Sequence, residues 1–215
     1  MRVGGWMNKE MLIKYLTESG YLKTKEIINA FKKVPRQDFV PSKFKKYAYI
    51  DEPLPTLKGQ TISQPATIAT MTEALKPKKD DKILEIGAGS GYQSAILSEI
   101  VGSDGKVITI EIVKELYKYA KEKLSKYKNV MIIYGDGSLG YEQEKPYDGI
   151  IVTASAPCVP EPLKEQLKIG GRLVIPVGVY AQKMLLLTKT KRGFEETDLG
   201  YFMFVPLTGK YGWSE

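Results

Sequence analysis

The sequence holds no histidine, and that one absence removes whole classes of chemistry. Without an imidazole there is no Ser-His-Asp or Cys-His nucleophile pair, and a zinc or iron site loses its commonest ligand. Cysteine is nearly missing too. Cys158 stands alone, so no intramolecular disulfide can form, and a reducing cytoplasm suits the chain. No apolar run is long enough to span a bilayer, and residues 1–6 carry no signal-peptide pattern. No Gly-Lys-Ser/Thr follows a glycine run, which excludes a phosphate-cradling P-loop. Any reaction here runs without an imidazole base, a condition that a nucleophile already anionic at neutral pH would meet.

What is present is enough for one domain. The 215 residues carry ample apolar content for a core, and a net charge of +7 favours anionic partners, either nucleic acid or an acidic substrate. The lysines at 114, 118, 121, 123 and 126 read as the solvated face of a helix. Abundant Lys and Glu with little Asn and Cys fit a thermophile.

The most informative stretch is Leu84-Glu85-Ile86-Gly87-Ala88-Gly89-Ser90-Gly91-Tyr92. It reads as a buried strand end, an acid, and a loop with glycine at every second position, ahead of an amphipathic helix. Such glycines let the backbone approach a ligand, and the helix behind presents free N–H groups. A dinucleotide site would place its third glycine at 92, where Tyr92 stands. Glu85 before the loop gains nothing from a pyrophosphate. It suits a ligand with a cationic end, such as the amino and sulfonium groups of S-adenosyl-L-methionine. Two further acids fall in register. Glu111 ends the next β-rich run, placed for ribose hydroxyls, and Asp136-Gly137 follow the run 130–134, where an adenine edge would lie. Taken singly, Glu111 is a charge near a helix start and Asp136 a turn residue.

Periodicity places a helix over residues 8–19, capped by Asn8, with Met11, Leu12, Tyr15 and Leu16 on its apolar face. A second starts at Thr24 with Ile27, Ile28 and Phe31. Residues 35–59, rich in proline, read as a long ordered loop of the kind that carries function. A helix then runs from Ser63 to about Leu75, with Pro65 in its first turn. From Lys82 onward strands and helices alternate. Strands 83–86, 107–110, 130–134, 147–153 and 172–176, the last after a Gly170-Gly171 turn, imply a parallel sheet. Runs 183–190 and 201–207 read as antiparallel strands on one edge. The expected fold is a Rossmann-like α/β methyltransferase: a mostly parallel, doubly wound sheet, antiparallel strands at the C-terminal edge, and extra N-terminal helices. Within one domain, residues 1–80 supply helices and a substrate loop, and 81–215 the cofactor sheet and closing strands.

The segment after the fourth strand separates methyl acceptors. Ala154-Ser155-Ala156-Pro157-Cys158 lacks the Asn/Asp-Pro-Pro-aromatic motif of enzymes that methylate exocyclic amines. Its Pro-Cys pair resembles cytosine carbon-5 methyltransferases, against the simpler expectation of a small buried cysteine behind a loop. Other segments point elsewhere. Asp51-Glu52-Pro53-Leu54-Pro55, Gly59-Gln60-Thr61-Ile62-Ser63-Gln64-Pro65, the loop 84–92, Gly135-Asp136-Gly137-Ser138-Leu139-Gly140-Tyr141, Pro160-Glu161-Pro162-Leu163 and Phe204-Val205-Pro206-Leu207-Thr208-Gly209-Lys210-Tyr211-Gly212 together resemble protein-L-isoaspartate (D-aspartate) O-methyltransferases.

That resemblance implies methyl transfer from S-adenosyl-L-methionine, leaving S-adenosyl-L-homocysteine, to the free α-carboxyl of L-isoaspartyl residues in damaged proteins and peptides, with repair through a succinimide. It implies a catalytic role for Ser63. Cofactor contacts would come from Thr61, Ile62, Glu85, Gly87, Gly89, Gly91, Glu111, Asp136, Gly137 and Thr208, and a peptide groove from Leu54, Pro55, Val205, Pro206 and Leu207. Ser63 also sits where a helix N-cap would start. Ile68 departs from the family, which often has histidine at that position. The expectation is a cytoplasmic monomer with no metal and no nucleic-acid or membrane partner. A nucleic-acid methyltransferase and a non-catalytic S-adenosylmethionine-binding protein are the alternatives.

Overall fold

The computed structural model describes residues 7–213, so residues 1–6, where no signal pattern was expected, lie outside the described residues. The chain opens with helices α1 (Lys9–Glu18) and α2 (Lys25–Lys33), followed by the short strands β1 (Leu54–Pro55) and β2 (Thr61–Ile62) and helix α3 (Pro65–Leu75). The main body is β3 (Lys82–Ile86), α4 (Tyr92–Val101), β4 (Lys106–Glu111), α5 (Lys114–Lys123), β5 (Val130–Tyr134), β6 (Tyr147–Val152), α6 (Glu161–Glu165), β7 (Leu167–Val177), β8 (Gln182–Thr190) and β9 (Gly193–Phe202).

Seven strands form one sheet in the order β5-β4-β3-β6-β7-β8-β9, with β8 antiparallel to both its neighbours and all other pairings parallel. The chain leaves β3 toward β4 and β5, then returns to lay β6 on the other side of β3. A crevice therefore opens at the carboxyl end of β3, the usual ligand position in such sheets. The inner parallel strands β3, β4 and β6 bury both faces, as their near-continuous apolar sequences require, while β5 at the edge is half exposed. Leu84, Ile86, Ile108, Ile110, Ile150 and Val152 pack with Leu163 of α6, while Ile83, Val107, Ile151 and Val174 pack with Met71, Leu75, Leu97 and Val101 of α3 and α4.

Four sequence expectations need correction. In α1 the buried stripe is Leu12, Ile13 and Leu16, while Met11 and Tyr15 are exposed; Ile13 turns the helix away from the 11/15 diagonal. Helix α3 starts at Pro65 with Gln64 at the N-cap, so Ser63 is not the cap. The Gly170-Gly171 pair is no turn but lies inside β7, at an irregularity where Tyr147 faces Leu167 and Gly149 already faces Arg172. Finally, the last strand is β9 and not 201–207. Its exposed Glu195, Glu196 and Asp198 hide any apolar period, and Asp198 pairs with Lys183 of β8 at 3.0 Å. Residues after β9 leave the sheet and fold back over the crevice.

The loop 35–59 is built around a buried cation. It begins with two short 3-10 helices, Arg36–Phe39 and Ser42–Tyr47. Arg36 is fully buried; its Nε donates to the carbonyl of Ala48 at 2.8 Å, its Nη2 to that of Glu52 at 3.4 Å, and the guanidinium lies 5.3 Å from the Tyr92 ring centroid. Burial lowers its pKa to about 10, which leaves it charged at neutral pH. Arg36→Ala would strand both carbonyls and open a cavity against Tyr92, and is expected to cost about 3 kcal/mol. Denaturant melts of the two proteins at pH 7 measure it; a loss below about 1 kcal/mol would show that the loop holds without this anchor.

Candidate active site

The crevice at the end of β3 is walled by the glycine loop, the end of β4, the segment 60–63, and the returning residues Val205–Thr208. In the loop, Gly87, Gly89 and Gly91 all have positive φ, at 91°, 52° and 85°. Gly87 has a second reason to be glycine, since a Cβ there would lie 2.5 Å from the Thr153 hydroxyl. That hydroxyl donates to the Gly87 carbonyl at 2.7 Å, which fastens the loop to β6. Gly87 and Gly89 line the pocket; Gly91 does not, but turns the chain into α4 against Leu124.

Two acids stand in the wall. Glu111, at the end of β4, accepts the Gly89 N–H on Oε2 at 2.8 Å and the Val113 N–H on Oε1 at 2.9 Å. Glu111 thus steadies the start of α5 and also lines the pocket, with further lone pairs on its oxygens. Glu85, on β3, is fully buried; Ser94 Oγ donates to its Oε2, and its Oε1 has no partner. Burial pushes its pKa up to about 8, against the Ser94 and Thr109 hydroxyls that pull it down, with the nearby Glu111 adding to the rise. Gln93 Oε1, also in the lining, is another buried acceptor without a partner. A wall with unpaired acceptors fits a ligand bearing a cationic donor.

Asp136 is placed differently from the sequence expectation. Its carboxylate is engaged within the chain: Oδ1 accepts from the Ser138 N–H at 2.9 Å and hydroxyl at 2.7 Å, and Oδ2 from the Lys210 N–H at 2.8 Å. It is not part of the pocket wall, whereas Gly137 is. Asp136 instead holds the C-terminal segment in place. Ser138 Oγ accepts the Tyr211 N–H at 3.0 Å, and the Ser155 carbonyl takes the Leu207 N–H at 2.8 Å and the Trp213 indole N–H at 2.7 Å. These bonds set Val205, Pro206, Leu207 and Thr208 against the crevice, as the sequence led one to expect.

Thr61, Ile62 and Ser63 line the opposite side, and the Ser63 hydroxyl has no hydrogen-bond partner among the described residues. Leu54 and Pro55, expected in the groove, lie outside it. Leu54 is buried in the N-terminal cluster and pairs with Ile62, and exposed Pro55 pairs with Thr61, so β1 supports the segment that reaches the pocket. Cys158 is exposed, not buried as expected, and is absent from the wall, which removes the carbon-5 base chemistry. Ile68 and Met71 give the wall an apolar stretch. Sequence reading missed Gln60, Gln93 and Thr153; only Thr153 had a signal, as the first residue past the strand beside β3.

Comparisons with known proteins agree with this geometry. A profile of the family described as protein-L-isoaspartate(D-aspartate) O-methyltransferase matches residues 7–212. A protein-L-isoaspartate O-methyltransferase of Methanococcus aeolicus is 48% identical over 206 residues, covering 95% of each chain. A second, from Archaeoglobus fulgidus, is 50% identical over 191 residues, covering 88% of each. A solved protein-L-isoaspartate O-methyltransferase superposes with a TM-score of 0.86 at 30% identity, over 95% of this chain and 67% of the other. The Plasmodium falciparum structure assigned to this enzyme class, in complex with S-adenosyl-L-homocysteine, gives 0.84 at 28% identity, over 94% and 99%.

Two predictions come from the acids. Glu85 is raised from its ordinary 4.5 to about 8, so it stabilises the fold below 4.5, and that contribution is lost as pH rises through 8. The melting temperature should fall between pH 5 and 9 for the native chain and stay flatter for Glu85→Gln. A cationic ligand amine favours the ionised carboxylate, so S-adenosyl-L-homocysteine binding near pH 7 should release protons, read by calorimetry in buffers of different ionisation enthalpy. Binding without proton release would place the amine elsewhere. Glu111→Ala should weaken the same ligand by roughly 1.5–3 kcal/mol, the worth of charge-assisted hydrogen bonds. A dissociation constant within twofold of native would leave Glu111 a purely structural anchor.

Proposed function

The chain belongs to the protein-L-isoaspartate(D-aspartate) O-methyltransferase family, and from that premise we propose how its pocket carries out the family's reaction. It transfers a methyl group from S-adenosyl-L-methionine to the free α-carboxyl of L-isoaspartyl residues, which starts repair through a succinimide. S-adenosyl-L-methionine, when bound, supplies an electrophilic methyl on a positively charged sulfur. Glu85 would hold its amino group, Glu111 its ribose hydroxyls, and Gly137 its adenine end, with Asp136 fixing the turn behind.

The chemistry asks little of the protein beyond position. The acceptor carboxylate has a pKa near ~4 and is ionised at neutral pH, so no general base is needed. A chain without histidine can therefore perform it. Ser63 orients the acceptor by donating its free hydroxyl to one carboxylate oxygen, leaving the other to attack. Ile68, Met71, Val205, Pro206 and Leu207 keep water from the reacting pair. A partly desolvated carboxylate is the better nucleophile, and charge is lost as the methyl passes. The substrate is an isoaspartyl site in an extended polypeptide, met by the enzyme as a monomer in a reducing cytoplasm. Ser63 carries this reading, since it lines the same pocket as both buried acids and its hydroxyl is uncommitted.

An assay with tritiated S-adenosyl-L-methionine on paired peptides tests the substrate. Label should enter the isoaspartyl peptide as a base-labile ester and be absent from its aspartyl twin; equal labelling, or transfer to RNA instead, would overturn the assignment. Ser63→Ala should cut turnover by about ten- to a hundredfold through loss of one orienting hydrogen bond, with S-adenosyl-L-homocysteine affinity within a few fold. Unchanged turnover would remove Ser63 from the mechanism.

A further inference from the structure

Ser63 is held in place from outside its own segment. Upstream, the β1–β2 ladder pairs Pro55 with Thr61 and Leu54 with Ile62, which fixes the two residues before it. Downstream, helix α3 has an unusual start. Gln64 occupies the N-cap, yet its side chain makes no capping bond to the helix. The bond comes instead from Asp51, whose Oδ1 accepts the Ala66 N–H at 2.8 Å while its Oδ2 accepts from the Gln64 side-chain amide at 3.0 Å. One carboxylate thus grips the N-cap residue Gln64, immediately after Ser63, and the second helical residue Ala66. A Ser, Asp or Asn at position 64 would have capped α3 locally. A cap borrowed from the loop does something a local cap cannot: it ties the loop to the residue between strand and helix.

Asp51 is itself fixed. The carbonyls of Ala48 and Glu52, on either side of it, are the acceptors of the buried Arg36 guanidinium, which rests over Tyr92 at the start of α4. The contacts form an unbroken path from the end of the glycine loop through Tyr92 and Arg36 to Asp51 and then to the backbone flanking Ser63. Asp51 is not in the pocket wall, so it acts without touching ligand.

We propose that Asp51 is a positioning residue for methyl transfer: by capping α3 from the loop, its carboxylate sets the Ser63 hydroxyl in register with the glycine-loop side of the pocket. The inference rests on the reading of Ser63 given above. Losing the carboxylate frees the start of α3, and Ser63 samples orientations in which its hydroxyl does not meet the acceptor.

The test is a double-mutant cycle of Asp51→Ala and Ser63→Ala, with kcat and KM on an isoaspartyl peptide, affinity for S-adenosyl-L-homocysteine, and melting temperature. Asp51→Ala is expected to lower kcat by about tenfold or more while S-adenosyl-L-homocysteine still binds within about threefold of native. Together the two substitutions should cost no more than the larger single one. Asp51→Asn keeps an oxygen for the Ala66 N–H and should recover most of the rate; it also carries the test, with Gln64→Ala, if the alanine variant does not fold. A drop in melting temperature with kcat per folded enzyme unchanged would make Asp51 only a helix cap and overturn the proposal. Multiplying losses in the double variant would overturn it too, since Asp51 would then act by another route. A native rate for Ser63→Ala alone refutes the role of Ser63, whereas a native rate for Asp51→Ala beside a slow Ser63→Ala refutes Asp51 specifically.

Discussion

The site depends on a carboxylate bound to two backbone N–H groups. Glu111 sits at the end of β4, yet one of its oxygens holds Gly89 in the loop after β3 and the other holds Val113 ahead of α5. Three glycines with positive φ make that loop permissive and therefore entropically costly to order. Something must select one conformation from the many available. Glu111 does so from one side and the Thr153 hydroxyl from the other, so the strands on both flanks of β3 define the loop between them. The crevice has its shape because neighbouring strands end in residues that reach across.

The electrostatics of the wall contrast with those of the surface. The chain carries a net charge of +7, but the ion pairs among the described residues lie outward, as in Lys58 with Glu115 and Lys168 with Asp148. None of them reaches Glu85 or Glu111. The wall thus holds no cation of its own among the described residues, and the positive charge that would draw the proton off Glu85 is one a ligand brings. A surface lysine placed there would have satisfied Glu85 and closed the site to a cation.

Much of this was legible in the sequence, for a physical reason. The loop 84–92, the acids Glu85 and Glu111 at the strand ends and the alternation from Lys82 onward are local patterns, in which turn chemistry and burial period act within a few residues. The parallel core and the antiparallel edge followed from them. What could not be read depends on contacts between distant segments. Asp51 capping Ala66 made Ser63 look like a cap when it is not, and the pairing of Leu54 with Ile62 drew Leu54 into the core and out of the groove. Asp136 and Lys210 meet only in the folded chain. Cys158 failed differently: a small apolar neighbourhood in sequence suggested burial, but the turn after β6 faces solvent. In β9, six consecutive exposed residues on an edge strand left no hydrophobic period to find.

That acidic edge has a consequence for how this enzyme lives with its substrates. An open sheet edge is a template that any extended polypeptide readily joins. Strand β9 is that edge, and Glu195, Glu196 and Asp198 line it with like charge. A visiting strand would have to bring its own backbone alongside these carboxylates and strip them of water. Strand addition at this edge is therefore disfavoured, and the charges that discourage it lie outside the wall of the crevice at the end of β3.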